Sequence, residues 1–269
     1  MPEDKDVILI KLGGSVVTVK DSSNPAPQLQ NIDQLAKELH RARKKTGVKM
    51  ILGHGAGSYG HPQAAKYHTM EGVVDENSLI GASEVRLSVV ELNSIITKRL
   101  LSAGEPVVSL PPAALLTSAD GSVVSIFPNP VVNFLKIGML PVIFGDVISD
   151  EKKGFTIFSG EQVLNLLASN LAKFGLNPKF VIEVGETAGV YGDLSKKDTI
   201  PLINKDNFAE IEDKLGGSAS TDVTGGMAHK VKEAYQLAQN GIPTLLISAD
   251  EGNLYKAILG QSVIGTWIR

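Results

Sequence analysis

Residues 48–62 read VKMILGHGAGSYGHP, an apolar run that leads into a glycine-rich turn. The run from Val48 to Leu52 predicts a strand, and the polar stretch after Pro62 indicates the start of a helix. The glycines at positions 55, 57 and 60 therefore fall in a strand-to-helix turn, where backbone N–H groups can face an anion. We predict that this turn binds a phosphate group.

Two other interpretations of the turn are weaker. Residues 55–60 also match G-x-G-x-x-G, the pattern of dinucleotide-binding crossovers, for which Asp75 or Glu76 would supply the ribose-binding acid. In that fold the third glycine lies inside a helix, whereas Gly60 is followed closely by Pro62, which suits the first turn of a helix. A plain flexible turn is the second alternative, although such turns seldom combine three glycines with a serine and a histidine.

The composition predicts a globular protein with a large core. The chain has 269 residues, 43% of them hydrophobic, which suits one α/β domain or two closely fused lobes. A net charge of -3 provides no basic stripe, so we expect neither nucleic acid nor a membrane surface as a partner. The absence of cysteine excludes disulfides and thiolate chemistry, and no signal peptide or membrane span is predicted. We therefore expect a cytoplasmic protein.

Apolar runs of strand length alternate with helical spacing along the whole chain, which predicts an α/β fold with a mainly parallel sheet covered on both faces. The predicted strands are Val7–Leu12, Val48–Leu52, Pro106–Leu110, Pro141–Phe144, Phe180–Val184, Thr244–Ile247 and Val263–Ile268. The predicted helices contain residues 32–39, 85–100, 160–171 and 226–239, and one begins at Asp250. Ligands of such sheets bind at the carboxyl ends of the strands.

Two further glycine turns have a lysine beside them. Lys11 ends the first strand just before Gly13-Gly14-Ser15, and Lys230 lies about one helical turn after Gly225-Gly226. Neither the G-x-x-x-x-G-K-[ST] motif nor a protein-kinase glycine loop with a downstream H-R-D is present. We predict a site that holds two phosphorylated molecules end to end.

The motifs occur in an order that resembles the amino acid kinase superfamily and, within it, the isopentenyl phosphate kinases. They are Lys-x-Gly-Gly-Ser, His-Gly-x-Gly-Ser-aromatic-Gly-His, Gly-Asp-Val, Ser-Gly-[Asp/Glu]-Gln and Thr-Asp-Val-Thr-Gly-Gly-Met-x-x-Lys. The resemblance covers nearly the whole chain. It implies an open αβα sandwich that forms a single domain over residues 1–269, with an N-terminal acceptor-binding lobe (about 1–175) and a C-terminal nucleotide-binding lobe (about 176–269).

The resemblance also implies an activity and a set of site residues. The activity is phosphorylation of isopentenyl phosphate by ATP, with Mg²⁺, to isopentenyl diphosphate for isoprenoid biosynthesis through a mevalonate pathway, usually in a homodimer. The implied catalytic residues are Lys11, Lys20, His61, Glu161 and Lys230. The implied ATP-binding residues are Lys11, Leu12, Gly13, Gly14, Ser15, Gly57, Glu186, Tyr191, Gly226 and Lys230. The implied acceptor-binding residues are Gly55, Ala56, His61 and Gly160, and no residue is assigned to a metal.

The chemistry of phosphoryl transfer fits lysines and glycine amides. The charge to be stabilised spreads over the transferred oxygens, so positioning and charge neutralisation matter more than covalent help. A phosphate monoester has its second pKa near 6 and is largely dianionic at neutral pH, so it needs no strong general base. His61 is then best suited to donate a hydrogen bond to the acceptor phosphate.

The chain departs from the family pattern at three places. The family usually has Asp where this chain has Glu161, which keeps the charge and adds one methylene of reach. The family commonly has two carboxylates in the segment that matches residues 185–191; one is replaced by Glu186 and the other is lost at Ala188. His229 stands where the family commonly has Gly, directly before the lysine that Lys230 matches. These departures leave two alternatives open: a fosfomycin kinase-like enzyme for a small phosphonate or phosphate, and a non-catalytic nucleotide-sensing member.

Overall fold

The structure is a computed structural model that describes residues 5–19, 25–192, 198–216 and 226–269. The strands in these ranges are, in chain order, β1 (Asp6–Leu12), β2 (Lys49–His54), β3 (Val107–Ser109), β4 (Leu116–Ala119), β5 (Ser122–Ile126), β6 (Leu140–Phe144), β7 (Asp146–Asp150), β8 (Gly154–Phe158), β9 (Asn177–Gly185), β10 (Leu202–Ile203), β11 (Thr244–Ser248) and β12 (Gly265–Ile268). The helices are α1 (Gly14–Val17), α2 (Leu29–Thr46), α3 (His61–Lys66), α4 (Glu76–Ser102), α5 (Asn129–Lys136), α6 (Gly160–Leu171), α7 (Phe208–Gly216), α8 (Gly226–Gln239) and α9 (Asn253–Ile258).

The main sheet has eight strands in the order β10-β12-β11-β9-β1-β2-β6-β3. Every neighbouring pair in it is parallel except β11 and β12, which run antiparallel. The predicted α/β fold with a mainly parallel central sheet is therefore confirmed. The antiparallel pair was not predicted, because the segment between Asp250 and Val263 reads as another crossover from sequence alone.

Helices cover both faces of this sheet, as the sequence predicts for an αβα sandwich. Alternate residues of a strand point to opposite faces, and those of β1 enter two different cores. Ile8 and Ile10 pack with α2, α4 and α9, whereas Val7 and Leu9 pack with α5, α6 and the end of α8. Burial on both faces explains why the strands read as continuous apolar runs.

A second, four-stranded sheet in the order β5-β4-β7-β8 lies beside the main one and was not predicted. It consists of two antiparallel hairpins joined by a short parallel contact between β4 and β7. The first hairpin turns at Asp120 and Gly121, whose φ angles are +53° and +75°. An Asp-Gly pair at positive φ is a favoured hairpin turn, so this signal was present in the sequence.

The carboxyl ends of four adjacent strands meet at one edge of the main sheet. Leu12 at the end of β1 pairs with His54 of β2 and with Val184 of β9, and His54 pairs with Phe144 of β6. The turns that follow these strands therefore lie side by side, where the ligand site of a parallel sheet is expected. None of the helices described above combines the length and apolarity needed to cross a bilayer.

Candidate active site

The first two glycine turns are packed directly against each other. A Cβ atom on Gly14 would lie 2.6 Å from the backbone nitrogen of Gly57, and one on Gly55 would lie 2.7 Å from that of Gly14. Gly57 also has a φ of +49°, in the left-handed region that favours glycine. These glycines are required because two backbones come together here, and the contact places both predicted phosphate-binding turns in one cleft.

Thr18, which the sequence analysis missed, joins the two turns. Its buried hydroxyl donates a hydrogen bond to the Gly14 carbonyl (2.8 Å) and accepts one from the Ser58 N–H (3.1 Å). This side chain holds the start of α1 against the turn after β2. Its role depends on a tertiary contact 40 residues along the chain, which no local motif reveals.

The third element of the cleft is the N-terminus of α6. Ser159 caps this helix by accepting a hydrogen bond from the Gln162 N–H (3.1 Å), and the Gln162 side chain accepts one from the Ser159 N–H (2.9 Å). Gly160 is packed so closely against the His54 carbonyl that no Cβ fits there. The first N–H groups of α1 and α6 have no partners within their own helices and can receive an anion.

Backbone hydrogen bonds distinguish the residues of the turn after β2. The Gly55 N–H already donates to the Leu12 carbonyl (2.9 Å), so it is engaged in fixing the turn. Gly55 therefore allows the turn to pack closely against Gly14. Ala56 supplies the next backbone N–H group along the chain. His61 begins α3 and is exposed to solvent.

Lys11 lies buried at the end of β1 with carboxylates around it. Its Nζ atom is 2.7 Å from Oε2 of Glu161, at the start of α6, and 3.9 Å from Oε2 of Glu183. Burial opposes the charge of this lysine, but attraction by Glu161 and Glu183 outweighs it and raises the pKa of Lys11 above its ordinary value. Lys11 is thus a fixed cation in the cleft.

Glu161 is ionised because the positive charge of Lys11 lies next to it. Its burial works against the charged form, but attraction and a hydrogen bond from Lys11, followed by attraction from Lys230, lower the pKa of Glu161 below its ordinary value. Glu161 therefore contacts Lys11 directly and interacts electrostatically with Lys230, the two described lysines that the family resemblance implies to be catalytic.

Two further carboxyl groups complete this cluster, and the sequence analysis missed both. Glu183 of β9 is the strand neighbour of Lys11, and burial, then repulsion from Glu161, raise the pKa of Glu183 to about 7. Glu233 of α8 has a pKa raised to about 8, first by burial, then by Glu161 through repulsion and a shared hydrogen bond. Both groups therefore hold protons more strongly than ordinary glutamates near neutral pH.

The raised pKa values of Glu183 and Glu233 give the substrate-free protein a contribution to stability that is lost as the pH rises from about 5 to about 8. The folded protein binds more protons at Glu183 than the unfolded chain does in this interval, so the free energy of unfolding falls with pH. Glu183→Gln removes that titration and should flatten the slope of melting temperature against pH. Glu251→Gln, at an exposed position, is the control.

The quantity to measure is the difference between Glu183→Gln and the wild type in the slope of melting temperature against pH. Contributions from groups that titrate alike in both proteins cancel in this difference. Among those groups is His54, whose low pKa of about 4 acts in the opposite direction below pH 6.5. Equal slopes for the two proteins would contradict the assignment of a raised pKa to Glu183.

The remaining predicted residues lie in the C-terminal part of the chain. Glu186 and Tyr191 follow β9 at the sheet edge. Gly226 begins α8 with a φ of +59°, and Lys230 lies one turn further along that helix. His229 is exposed, and its Nε2 is 3.6 Å from Oε1 of Glu233. Lys20 lies outside the described residues.

No group of three or more His, Asp or Glu side chains able to hold a metal ion occurs within residues 5–19, 25–192, 198–216 and 226–269. In enzymes that act on nucleotides, Mg²⁺ is bound largely by the substrate phosphates and by water, with one or two carboxylates. The donor set present here, lysines and backbone N–H groups around a cleft, suits the phosphates themselves.

Comparison with known proteins shows which family the chain belongs to. The amino acid kinase family profile matches residues 6–248. The isopentenyl phosphate kinase of Methanothermobacter thermautotrophicus is 35% identical over 271 aligned residues, which cover 97% of this chain and 98% of the relative. The isopentenyl phosphate kinase of Haloferax volcanii is 36% identical over 270, with 98% of each chain covered. A solved isopentenyl phosphate kinase structure matches with a TM-score of 0.81 and 31% identity, over 97% of this chain and 100% of that one. The chain belongs to the amino acid kinase family, and these relatives, similar over almost its whole length, are isopentenyl phosphate kinases.

Proposed function

We propose that this protein transfers the γ-phosphoryl group of ATP to isopentenyl phosphate, giving isopentenyl diphosphate and ADP. The observation that carries the proposal is the packing of three backbone segments at one edge of the sheet: Gly14 lies against Gly57, and Gly160 lies against the His54 carbonyl. Glu161, the next residue of α6, contacts the buried Lys11. The similarity to isopentenyl phosphate kinases over nearly the full length supports the choice of acceptor.

We assign a separate role in phosphoryl transfer to each group of cleft residues. Lys11 and Lys230 neutralise the charge that spreads over the transferred oxygens, and Glu161 holds Lys11 in place by direct contact. The N–H groups at the start of α1 orient the ATP phosphates, and those of Ala56 and Gly160 orient the acceptor phosphate. The acceptor is dianionic at neutral pH and attacks without a general base.

The two substrates would occupy different parts of the chain. We assign the acceptor to a lobe of about residues 1–175, which contains the turn after β2 and the start of α6. The nucleotide belongs to about residues 176–269, with Glu186, Tyr191 and Gly226 at its binding surface. Mg²⁺ would accompany ATP on its phosphates, an assignment that rests on the family resemblance. The reaction would feed isoprenoid biosynthesis by a mevalonate route in the cytoplasm.

The experiment that tests the proposal is a kcat/KM comparison across acceptors with ATP and Mg²⁺. The panel contains isopentenyl, dimethylallyl and geranyl phosphates, fosfomycin and glutamate, and ADP release is followed by a coupled assay. We expect isopentenyl phosphate to have the highest kcat/KM. A higher value for fosfomycin would favour a phosphonate kinase, and ATP binding without turnover on any acceptor would favour a nucleotide sensor.

His61 is expected to act on the acceptor phosphate rather than on ATP. It begins α3 directly after the turn that presents Ala56, so His61→Ala should raise the KM for isopentenyl phosphate by about tenfold, the worth of one lost hydrogen bond to a charged group. His61→Gln keeps a donor and should retain more activity. Steady-state kinetics with each substrate varied in turn measures both values, and an equal rise in both KM values would contradict the assignment.

We also propose a homodimer formed through the outer face of α4. Large apolar side chains on this helix are more than a third exposed, namely Leu79, Ile80, Leu87, Val90 and Leu101, and a second copy would cover them. Leu87→Glu should therefore shift the mass measured by light scattering from that of a dimer to that of a monomer. Ile137→Glu, at an exposed apolar position on another element, should leave the mass unchanged.

A further inference from the structure

His54 is a fully buried histidine that the reaction described above does not use. It is the last residue of β2, and its ring stacks on Phe144 of the neighbouring strand with the ring centres 5.7 Å apart. Both ring nitrogens have partners. Nδ1 lies 3.0 Å from the Gly55 carbonyl oxygen, and Nε2 lies 3.0 Å from Nδ2 of Asn93 in α4.

The partners fix where the ring carries its proton. A carbonyl oxygen can only accept, so Nδ1 must be the donor toward Gly55. Burial lowers the pKa of His54 to about 4, which leaves the ring neutral and makes Nε2 an acceptor. Nε2 then accepts from the Asn93 amide, whose oxygen accepts a hydrogen bond from the Ser109 hydroxyl. The donor and the acceptor of each hydrogen bond in this chain of contacts are therefore assigned.

The contact with the Gly55 carbonyl has a consequence for Ala56. The Gly55 carbonyl and the Ala56 N–H belong to one planar trans peptide unit, so they point in opposite directions. Holding the carbonyl toward the buried ring directs the Ala56 N–H away from it. The preceding peptide unit is fixed as well, since the Gly55 N–H donates to the Leu12 carbonyl.

We propose that His54 is a positioning residue for the acceptor: its neutral ring, held in the Nδ1–H form by Asn93, fixes the peptide unit that presents the Ala56 N–H to the acceptor phosphate. This inference rests on the proposed function, because it assigns the anion at Ala56 to the acceptor. It also gives a role to the hydrogen bonds by which helix α4 and strand β3 contribute Asn93 and Ser109 next to this turn.

Three substitutions at His54 test the inference. His54→Phe keeps the ring stack but has no donor, and it should raise the KM for isopentenyl phosphate about tenfold while the KM for ATP stays within about twofold. His54→Asn places an amide nitrogen near the position of Nδ1 and should recover much of this loss. His54→Gln reaches the position of Nε2 instead and should not. Equal changes in both KM values, or none in His54→Phe, would overturn the proposal.

A spectroscopic measurement separates this inference from the proposed function. The nitrogen-15 shifts of His54 in the substrate-free wild type should show a neutral ring protonated on Nδ1, and protonation on Nε2 would overturn the proposal. The Ala56 amide resonance should move on titration with inorganic phosphate in the wild type but not in His54→Phe. If the wild type fails to phosphorylate isopentenyl phosphate, the proposed function is wrong, while the Ala56 resonance still decides whether His54 positions an anion-binding amide.

Discussion

Lys11→Met is expected to lower kcat by on the order of a hundredfold or more, because it removes one fixed cation from the site of charge development. The methionine side chain is unbranched like that of lysine and ends about where the lysine Cε lies, so it keeps the apolar stem and removes the ammonium group. Lys11 is the buried cation of the cleft whose Nζ contacts the Glu161 carboxylate directly. Steady-state kinetics with ATP and isopentenyl phosphate measures the effect.

The control for this experiment is Lys37→Met, which removes a lysine from an exposed position on α2 and should retain wild-type kcat. Lys11→Met also leaves Glu161 and Glu183 buried without their nearest cation, so both carboxyl groups should gain protons. The melting temperature of the variant shows whether the fold survives. A folded Lys11→Met enzyme with wild-type kcat would remove Lys11 from the catalytic set.

Glu161→Gln should lower kcat by roughly tenfold to a hundredfold, the effect expected when a hydrogen bond to a charged group loses its charge. The glutamine keeps the shape of the side chain but no longer holds Lys11 by an ion pair at 2.7 Å. The KM for ATP should change little, because the backbone N–H groups that we propose to bind the ATP phosphates are not altered. Glu161→Asp, which restores the usual residue of the family, should remain active.

Glu76→Gln provides a matched control, since Glu76 also lies in the first turn of a helix, α4, but is exposed. It should keep the wild-type kcat. Unchanged turnover in Glu161→Gln would show that this carboxylate does not organise the lysines. A wild-type protein that binds ATP without turning over any acceptor would instead favour the nucleotide-sensing alternative.

The parts of the fold that the sequence predicted well are those with strong periodicity. Helix α8 spans Gly226–Gln239, as its pattern predicts, and the apolar run from Val7 to Leu12 is β1 with one residue added. The hairpin of β4 and β5 was missed because its strands are short and partly polar, although Asp120-Gly121 marked its turn. Strands of four or five residues are too short to show a clear alternation of apolar and polar residues.

The glycine turns after β1 and β2, which the sequence marks as neighbours in one site, do pack together, but the groups around Lys11 were not predicted. Glu183 is a single acid inside an apolar strand, and only the strand order, which places β9 beside β1, reveals that it faces Lys11. Glu233 was within reach of sequence reasoning, because it lies three residues after Lys230 on α8 and so shares its face. Thr18 and Asn93 act through contacts between distant segments, which no motif encodes.

The measurement that tests the central claim most directly is phosphorus-31 NMR of ATP, Mg²⁺ and isopentenyl phosphate incubated with the purified protein. Transfer to the acceptor phosphate predicts that the single resonance of isopentenyl phosphate is replaced by the two coupled resonances of a diphosphate monoester, in an amount equal to the ADP formed. In the same time, Lys11→Met should produce neither the two diphosphate resonances nor ADP. ADP that appears with inorganic phosphate while the isopentenyl phosphate resonance persists, or an unchanged spectrum from folded wild-type protein, would contradict the account.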